Sequence, residues 1–298
     1  MIIDELVKIC YEEHKANASK CVCGDCSHPR KCPGNCNDCL NEVHLTRSEG
    51  ERADYNCPYL LYYYVGKYIY AYTSEMEYAL NTIRDTLENF KYMHILSIGC
   101  GPAPDLFAIN QFQSSNGFDQ VLSYIGFDHN AYWGEIHEII KCLLPNNKKS
   151  KIQFKQLDAI DFFQKKELKQ CNMLIMQYLL SHIVYNQRQD EIESFFDSLI
   201  INVILKMDNH SFIIINDINH NLARDYIDIF IKKIRLAGKR TKKLHFYFEY
   251  KDEMGYYQTR GKKHKANDIK YSVEPKYSNY FDTRLDCRSE QYIIEVYD

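Results

Sequence analysis

Six cysteines between residues 21 and 39 have the type and spacing that bind a metal ion. They are Cys21, Cys23, Cys26, Cys32, Cys36 and Cys39. Cys23 with Cys26, and Cys36 with Cys39, form C-x2-C pairs, the spacing with which two thiolates hold a tetrahedral metal. In a reducing compartment the pattern predicts a structural zinc module; an iron–sulfur cluster and disulfides are the alternatives.

A second group of residues joins an apolar run to a glycine-rich turn. The run His94–Ile98 leads into Gly99, Gly101 and Ala103, and a helical pattern begins at Pro104. Glycine lets the backbone turn tightly and lets a ligand approach the main chain. Proline suits the first turn of a helix, where its missing N–H costs nothing. The stretch therefore predicts a strand–turn–helix unit that could bind a nucleoside cofactor.

Two aspartates follow the next two apolar runs. Asp128 ends the run that begins at Val121, and Asp158 ends the run that begins at Ile152. A carboxylate at the first position can accept hydrogen bonds from ribose hydroxyls, and one at the second from an adenine amino group. The nicotinamide fingerprint requires a third glycine where this chain has Pro104. The sequence therefore disfavours a nicotinamide oxidoreductase.

This arrangement resembles the class I S-adenosylmethionine-dependent methyltransferases over residues 90–298. The resemblance implies that the methionine moiety binds at the glycine turn, ribose at Asp128 and adenine at Asp158. It also places the exit of the fourth strand near the reacting sulfonium. The predicted cofactor-binding residues are Gly99, Gly101, Ala103, Asp128, Asp158, Ala159 and Gln177. The family often has an acidic residue two positions before the first glycine, where this chain has Ser97.

Methyl transfer is a single in-line displacement that depends mainly on positioning. A general base helps when the acceptor is a hydroxyl or a protonated amine. Tyr178, His182 and Asp217 lie at the exits of the fourth and fifth strands and are the candidate catalytic residues. The alternative to an enzyme is a non-catalytic binding protein with a degenerate methyltransferase fold and a zinc recognition module, which the departure at Ser97 keeps open.

The elements that must position these residues fall into three segments. Residues 1–57 form the cysteine-rich module, 58–92 a tyrosine-rich helical linker or lid, and 93–298 the cofactor-binding domain. Alternating apolar runs and amphipathic stretches indicate a parallel sheet between helices. We predict an α/β fold: a seven-stranded Rossmann-like methyltransferase sheet with helices on both faces, a small metal module and an N-terminal helix. An insertion, 251–288, separates the last two strands; the resemblance implies that the last one is antiparallel.

The charge and hydropathy of the chain indicate which partners it could bind. The net charge is −3, but residues 232–270 contain 13 Lys and Arg against 4 Asp and Glu, an excess of 9 positive charges. Cations interleaved with Tyr256 and Tyr257 predict short or single-stranded nucleic acid as the methyl acceptor, ahead of a small molecule. No basic start precedes an apolar stretch, and no apolar run approaches the roughly 18 residues of a membrane span. We therefore expect a soluble, cytoplasmic protein without a membrane partner.

Overall fold

The N-terminal part of the chain is helical. The computed structural model describes residues 1–17, 35–44, 55, 57–166, 171–186, 189–218, 221–249, 251–252, 255–256 and 261–298. Its first helices are α1 (Ile2–Asn17), α2 (Cys36–His44), α3 (Pro58–Thr82) and the short α4 (Arg84–Leu87). Four of the predicted metal ligands, Cys21, Cys23, Cys26 and Cys32, lie outside the described residues.

Strands and helices then alternate along the chain. Their bounds are β1 (Tyr92–Ile98), α5 (Pro104–Asn116), β2 (Val121–Asp128), α6 (Gly134–Leu143), β3 (Ser150–Gln156), α7 (Ala159–Lys165), β4 (Met173–Gln177), α8 (Leu180–Asn186), α9 (Gln189–Asn202), β5 (Ser211–Asp217), α10 (Asn221–Leu236) and β6 (Arg240–Tyr247). The C-terminal elements are β7 (Lys251–Asp252), β8 (Gly255–Tyr256), β9 (Lys262–Lys263), α11 (Pro275–Phe281) and β10 (Glu290–Tyr297).

The main sheet is mixed and has the order β3-β2-β1-β4-β5-β10-β6-β9. Strands β1 to β5 are parallel, and β10 runs antiparallel between β5 and β6. The predicted count of seven strands is not confirmed, because this sheet has eight within the described residues. The additional strand is β9, which pairs with Phe246 and Tyr247 at the sheet edge. Because it is two residues long, it leaves no alternating apolar pattern in the sequence.

Both faces of the sheet are covered by helices, as predicted for this fold class. Successive residues of a strand point to opposite faces. Met173 and Ile175 of β4 therefore belong to one apolar core, which includes residues of α1, α3, α5, α6 and α11. Leu174 and Met176 belong to a second core with residues of α7, α8, α9 and α10. Residues at the ends of the parallel strands whose side chains lie outside both cores can contribute to a site.

The insertion between the last two strands packs against α3. Phe281 of α11 is fully buried, and its ring lies where a Cβ on Gly66 would be. The Thr283 hydroxyl donates to the Gly66 carbonyl at 2.8 Å. These contacts connect the C-terminal part of the chain to the helix that precedes β1. Within the described residues, no helix combines the length and apolar character that crossing a membrane requires.

Candidate functional site

The glycine-rich turn after β1 adopts left-handed backbone conformations. The φ angles are +65° at Gly99, +47° at Gly101 and +53° at Ala103. Glycine adopts such angles without steric cost. A Cβ at Gly99 would also lie 2.8 Å from Leu179 Cδ1, so any larger residue would collide with the segment after β4. Gly99 is partly exposed, whereas Gly101 is buried with the Trp133 ring next to it.

Asp128 joins the end of β2 to this turn. Its Oδ2 accepts from the Gly101 N–H at 2.9 Å, and its Oδ1 accepts from the Asn130 N–H at 2.9 Å. Each carboxylate oxygen has a second lone-pair site that can accept another donor. The predicted ribose-binding residue therefore also fixes the glycine turn.

His137 holds the other side of the same peptide, and the sequence analysis did not select it as a candidate. Its Nε2 lies 2.7 Å from the Gly101 carbonyl oxygen, and its ring stacks on Phe154 at 4.0 Å. Burial lowers the pKa of His137 to about 4, so the ring is neutral near pH 7 and its Nε2–H donates. In the sequence, His137 is a single histidine in an amphipathic helix, which is a weak signal.

A cleft of about 140 Å³ opens beside the glycine turn. Four predicted cofactor residues line it, namely Gly99, Asp128, Asp158 and Ala159. Its apolar lining includes Phe127, Leu157, Ile160, Leu179, Ile183 and Phe195. Gly101, Ala103 and Gln177 do not line this cleft. The arrangement combines carboxylates with apolar surfaces, as a nucleoside site requires.

Asp158 has a structural role as well as a place in the cleft. Its Oδ1 accepts from the Ile160 N–H at 2.7 Å and so caps α7. Among the described residues, no protein donor reaches its Oδ2. This exposed carboxylate can therefore cap the helix and accept a hydrogen bond from a ligand at the same time.

The three candidate catalytic residues have different environments. His182 is exposed on α8 and lines the cleft. Asp217 is buried and accepts from the Ser181 N–H at 3.0 Å and the Ile218 N–H at 2.7 Å. Burial raises the pKa of Asp217. Asp217 thus holds the start of the helix that carries His182.

Tyr178 connects the end of β4 to α3. Its hydroxyl donates to Glu75, 3.0 Å from each carboxylate oxygen, and its ring stacks on Tyr72 at 4.1 Å. Burial raises the pKa of Tyr178 well above its usual value, which keeps the phenol protonated. The residue has a φ of +52°, and so tight packing holds it in a conformation that tyrosine rarely adopts.

Two amide side chains at the ends of β4 and β5 have polar atoms left over. Gln177 Nε2 donates to the Tyr72 carbonyl at 3.0 Å, and Asn216 Oδ1 accepts from Gln291 at 3.2 Å. Gln177 Oε1 and Asn216 Nδ2 are buried without a hydrogen-bond partner. Such atoms usually find a partner in a protein, a water or a ligand.

A carboxyl group lies behind the glycine turn despite the serine at position 97. The buried Asp105, in the first turn of α5, accepts from the Tyr124 hydroxyl at 3.1 Å and is hydrogen-bonded to the Ser97 side chain. Burial raises the pKa of Asp105 to about 6. The sequence analysis missed this residue because the contact joins a strand to the helix that follows the turn.

The two described cysteines of the cluster, Cys36 and Cys39, are buried on α2. His14 of α1 places its Nε2 3.3 Å from Cys36 Sγ, and its Nδ1 lies 2.8 Å from the Tyr280 hydroxyl. In the part of the chain that the structure describes, no three His, Cys, Asp or Glu side chains form a group that could hold a metal ion. The complete cysteine set lies partly outside that part.

No known protein-family profile and no curated protein matches this chain. Solved structures that are similar to this chain include methyltransferases. One, a candidate class I S-adenosylmethionine-dependent methyltransferase of Listeria monocytogenes, is 11% identical with a TM-score of 0.45 and covers 76% of this chain and 60% of its own.

Two others are similarly distant. A candidate S-adenosyl-L-methionine-dependent methyltransferase of Methanococcus maripaludis is 15% identical, with a TM-score of 0.39, covering 62% of this chain and 76% of its own. The StiE O-MT segment is 12% identical, with a TM-score of 0.40, covering 57% and 53%. The chain thus spans about half of the StiE segment.

Proposed function

We propose that this protein is an S-adenosylmethionine-dependent methyltransferase with its cofactor site at the carboxyl ends of β1, β2 and β3. The observation that carries the proposal is the single cleft shared by Gly99, Asp128, Asp158 and Ala159. These residues come from three different strand ends, and the family resemblance implies that they bind one cofactor. The strand order, with β10 antiparallel between β5 and β6, supports the same proposal.

The residues present fit this cofactor. Asp128 lines the cleft, and a carboxylate oxygen can accept from more than one donor, as ribose hydroxyls require. Asp158 offers Oδ2 to an adenine amino group, and Phe127, Leu179 and Ile183 provide apolar walls for the ring. Bound S-adenosylmethionine supplies an electrophilic methyl group on a sulfonium. Gly99 lines the cleft and has no side chain, so the cofactor chain can approach its backbone there.

Among the candidate bases, we propose His182 for removing a proton from the acceptor. It is exposed and lines the cleft, so a substrate can reach it. Asp217 accepts hydrogen bonds from the Ser181 N–H at the start of α8 and from the Ile218 N–H. Tyr178 donates its proton to Glu75. We therefore assign Asp217 to positioning α8 and Tyr178 to shaping the wall of the site.

Release of S-adenosylhomocysteine tests this proposal. Purified protein is incubated with S-adenosylmethionine and a cell extract as the source of acceptors. We expect release by the wild-type protein, little by Asp128→Ala, and a reduced rate with unchanged cofactor affinity for His182→Ala. Cofactor binding without any release would instead support the non-catalytic binding protein.

We also propose that the cysteine cluster holds zinc structurally. The C-x2-C pair Cys36 and Cys39 lies in the first turn of a helix, and the His14 imidazole already contacts Cys36. Thiolate and imidazole are zinc ligands, and a small cysteine-rich segment gains folding free energy from such a metal. Native mass spectrometry of the purified protein would report the bound metal and any retained nucleoside in one measurement.

For the methyl acceptor two proposals remain. A short single-stranded nucleic acid would use the lysine-rich surface of residues 232–270. Several of these cations are paired with carboxylates: Lys239 with Asp298 and Lys243 with Asp228. This pairing reduces the charge left for phosphates. A small molecule bound at the ends of β4 and β5, beside Gln177, is the second proposal.

A further inference from the structure

Arg284 is a partly buried cation beside the tyrosines of α3, and it interacts electrostatically with the buried Glu75. It lies between α11 and β10, where its N–H donates to the Lys67 carbonyl at 2.8 Å. The guanidinium carbon is 4.7 Å from the centre of the Tyr68 ring and 5.9 Å from that of Tyr72. Among the residues that the structure describes, its side chain has no ion pair and no hydrogen bond.

The nearby carboxylates are engaged elsewhere. Asp282 pairs with Lys67 at 2.6 Å, and Asp286 pairs with Arg288 at 2.8 Å. Glu75 accepts from the Tyr178 hydroxyl and from the backbone N–H groups of residues 288 and 289. A half-buried guanidinium is costly unless its donors are used. The five N–H donors of Arg284 are therefore available to a ligand.

The position of Arg284 relates it to the proposed active site. Tyr72, under its guanidinium, stacks on Tyr178 at 4.1 Å. The next residue, Leu179, lines the cleft and approaches Gly99. Arg284 is therefore connected to the wall of the cleft through Tyr72, Tyr178 and Leu179.

Buried polar atoms near these residues also lack partners. They are Gln177 Oε1, Asn216 Nδ2 and Ser289 Oγ. Gln177 is hydrogen-bonded to Tyr72, and the Ser289 N–H donates to Glu75. Unpartnered donors and acceptors around a stacked arginine indicate a polar ligand group. The ring faces of Tyr68 and Tyr72 already contact a cation, which disfavours an ammonium ligand.

We propose that Arg284 binds the carboxylate or phosphate group of a ligand while its guanidinium stays stacked on Tyr68. This inference rests on the proposed function, since two sources of the anion are considered: the methionine carboxylate of the cofactor and an acid group of a small methyl acceptor. A guanidinium held on aromatic rings presents a planar fork that matches either group.

Calorimetric titration separates the two sources. S-adenosylhomocysteine and its decarboxylated analogue, which lacks only the carboxylate, are titrated into wild-type protein, Arg284→Gln and Arg284→Lys. The matched control is Arg288→Gln, a neighbouring arginine paired with Asp286. If the cofactor carboxylate is the anion, Arg284→Gln binds S-adenosylhomocysteine about tenfold more weakly or worse. It binds the decarboxylated analogue like the wild type, and Arg284→Lys restores part of the loss.

A second titration tests the acceptor. Inorganic phosphate and acetate are added with S-adenosylhomocysteine saturating, and fluorescence of Trp133 is followed; it is the only tryptophan of the chain. Trp133 lies 5.7 Å from Tyr64, which contacts Tyr68 at 4.9 Å. If an acceptor acid group is the anion, the wild type binds one of these anions and Arg284→Gln does not, while both nucleosides bind equally to the two proteins.

Other outcomes overturn the inference. These are equal weakening of both nucleosides by Arg284→Gln, the same losses in Arg288→Gln, or no anion binding together with unchanged nucleoside affinity. If the wild type binds neither nucleoside, the proposed function fails, and the anion titration of the protein alone still decides the role of Arg284. Circular dichroism identifies misfolded variants. If Arg284→Gln is misfolded, Arg284→Lys is compared with the wild type instead.

Discussion

At the residue scale, one peptide of the glycine turn is held from both ends by side chains. Asp128 accepts from the Gly101 N–H, and His137 donates to the Gly101 carbonyl. The turn is therefore shaped before a ligand binds, which lowers the ordering cost of binding. The two side chains come from different elements, β2 and α6, so a change at either one would loosen the same peptide.

Protonation of His137 gives a pH dependence of stability. The pKa is about 4 in the folded protein and about 6.5 in an unfolded chain. As the pH falls from 6.5 to 4, the unfolded state binds the proton first, so the free energy of unfolding decreases. We expect wild-type protein to lose about 3 kcal/mol more than His137→Gln across this range. Urea unfolding at several pH values measures the difference.

Comparing the unfolding free energies of wild type and His137→Gln separates the contribution of His137 from that of Asp105. The pKa of Asp105 is raised to about 6, so its folded form binds a proton first and the slope has the opposite sign. That contribution is present in both proteins and cancels in the difference. Parallel curves for wild type and His137→Gln would show that this histidine is not held neutral.

At the element scale, α3 joins the N-terminal region, the glycine-turn domain and the C-terminal insertion. Tyr62 donates to Glu135 of α6, and Glu75 binds Tyr178 and the segment before β10. Phe281 of α11 packs on the same helix at Gly66. The sequence predicted a tyrosine-rich helical lid here but not these contacts, because they join positions separated by 70 to more than 200 residues.

Gly66→Ala tests the crossing of α3 and α11. The added Cβ would be 2.1 Å from the Phe281 ring, and that ring is fully buried. We expect a loss of about 1–3 kcal/mol by overpacking, against a gain of about 1 kcal/mol in helix propensity. Asn81→Ala, exposed near the end of the same helix, is the control. Equal or higher stability of Gly66→Ala in urea would contradict this packing.

The contact between α1 and α2 gives a prediction about the metal. If Cys36 is a zinc ligand, Cys36→Ser should bind less zinc and melt at a lower temperature, because metal binding contributes to folding. Cys142→Ser changes an exposed cysteine on α6 and should retain the wild-type metal content. Elemental analysis of freshly reduced protein measures both. Wild-type protein without metal, or equal content in all three proteins, would reject the zinc module.

At the scale of the whole molecule, charge is unevenly distributed along the chain. Of the basic residues in 232–270, Lys263 is paired with Glu249, like Lys239 and Lys243 with their carboxylates. Lys262 and Lys265 have no such partner among the described residues. A nucleic acid at this surface would therefore gain few strong phosphate contacts, unless residues outside the described ranges add to them.

The salt dependence of RNA binding measures those contacts. For a short single-stranded RNA we expect Lys262 and Lys265 to contribute roughly −1.4 to the slope, about −0.7 for each lysine. Lys262→Ala with Lys265→Ala should remove it. Lys148→Ala with Lys151→Ala, exposed at the opposite edge of the sheet beside β3, should not. A steep slope that the first pair leaves unchanged would contradict this surface, and no binding at low salt would favour a small-molecule acceptor.

The parts of the fold and site that depend on local sequence could be predicted. The glycine turn, Asp128 and Asp158 lie at ends of apolar runs, and the structure places Gly99 and both aspartates in one cleft. Strand β6 begins at Arg240, four residues before the apolar Leu244; its first residues pair with β10 but are largely exposed, so they leave no apolar pattern. Arg284 and Glu75 become functional candidates only through contacts between distant segments, which periodicity does not reveal.

Calorimetric titration of S-adenosylmethionine into wild-type protein and Asp128→Ala tests the central claim most directly. Asp119→Ala, exposed before β2 and paired with Lys149, is the control, and circular dichroism checks that each variant is folded. We expect wild type and Asp119→Ala to bind alike, and Asp128→Ala to lose roughly 1–3 kcal/mol of binding free energy with its hydrogen-bond acceptors. Absence of binding to the wild type, or equal affinity of Asp128→Ala, would contradict the proposed cofactor site.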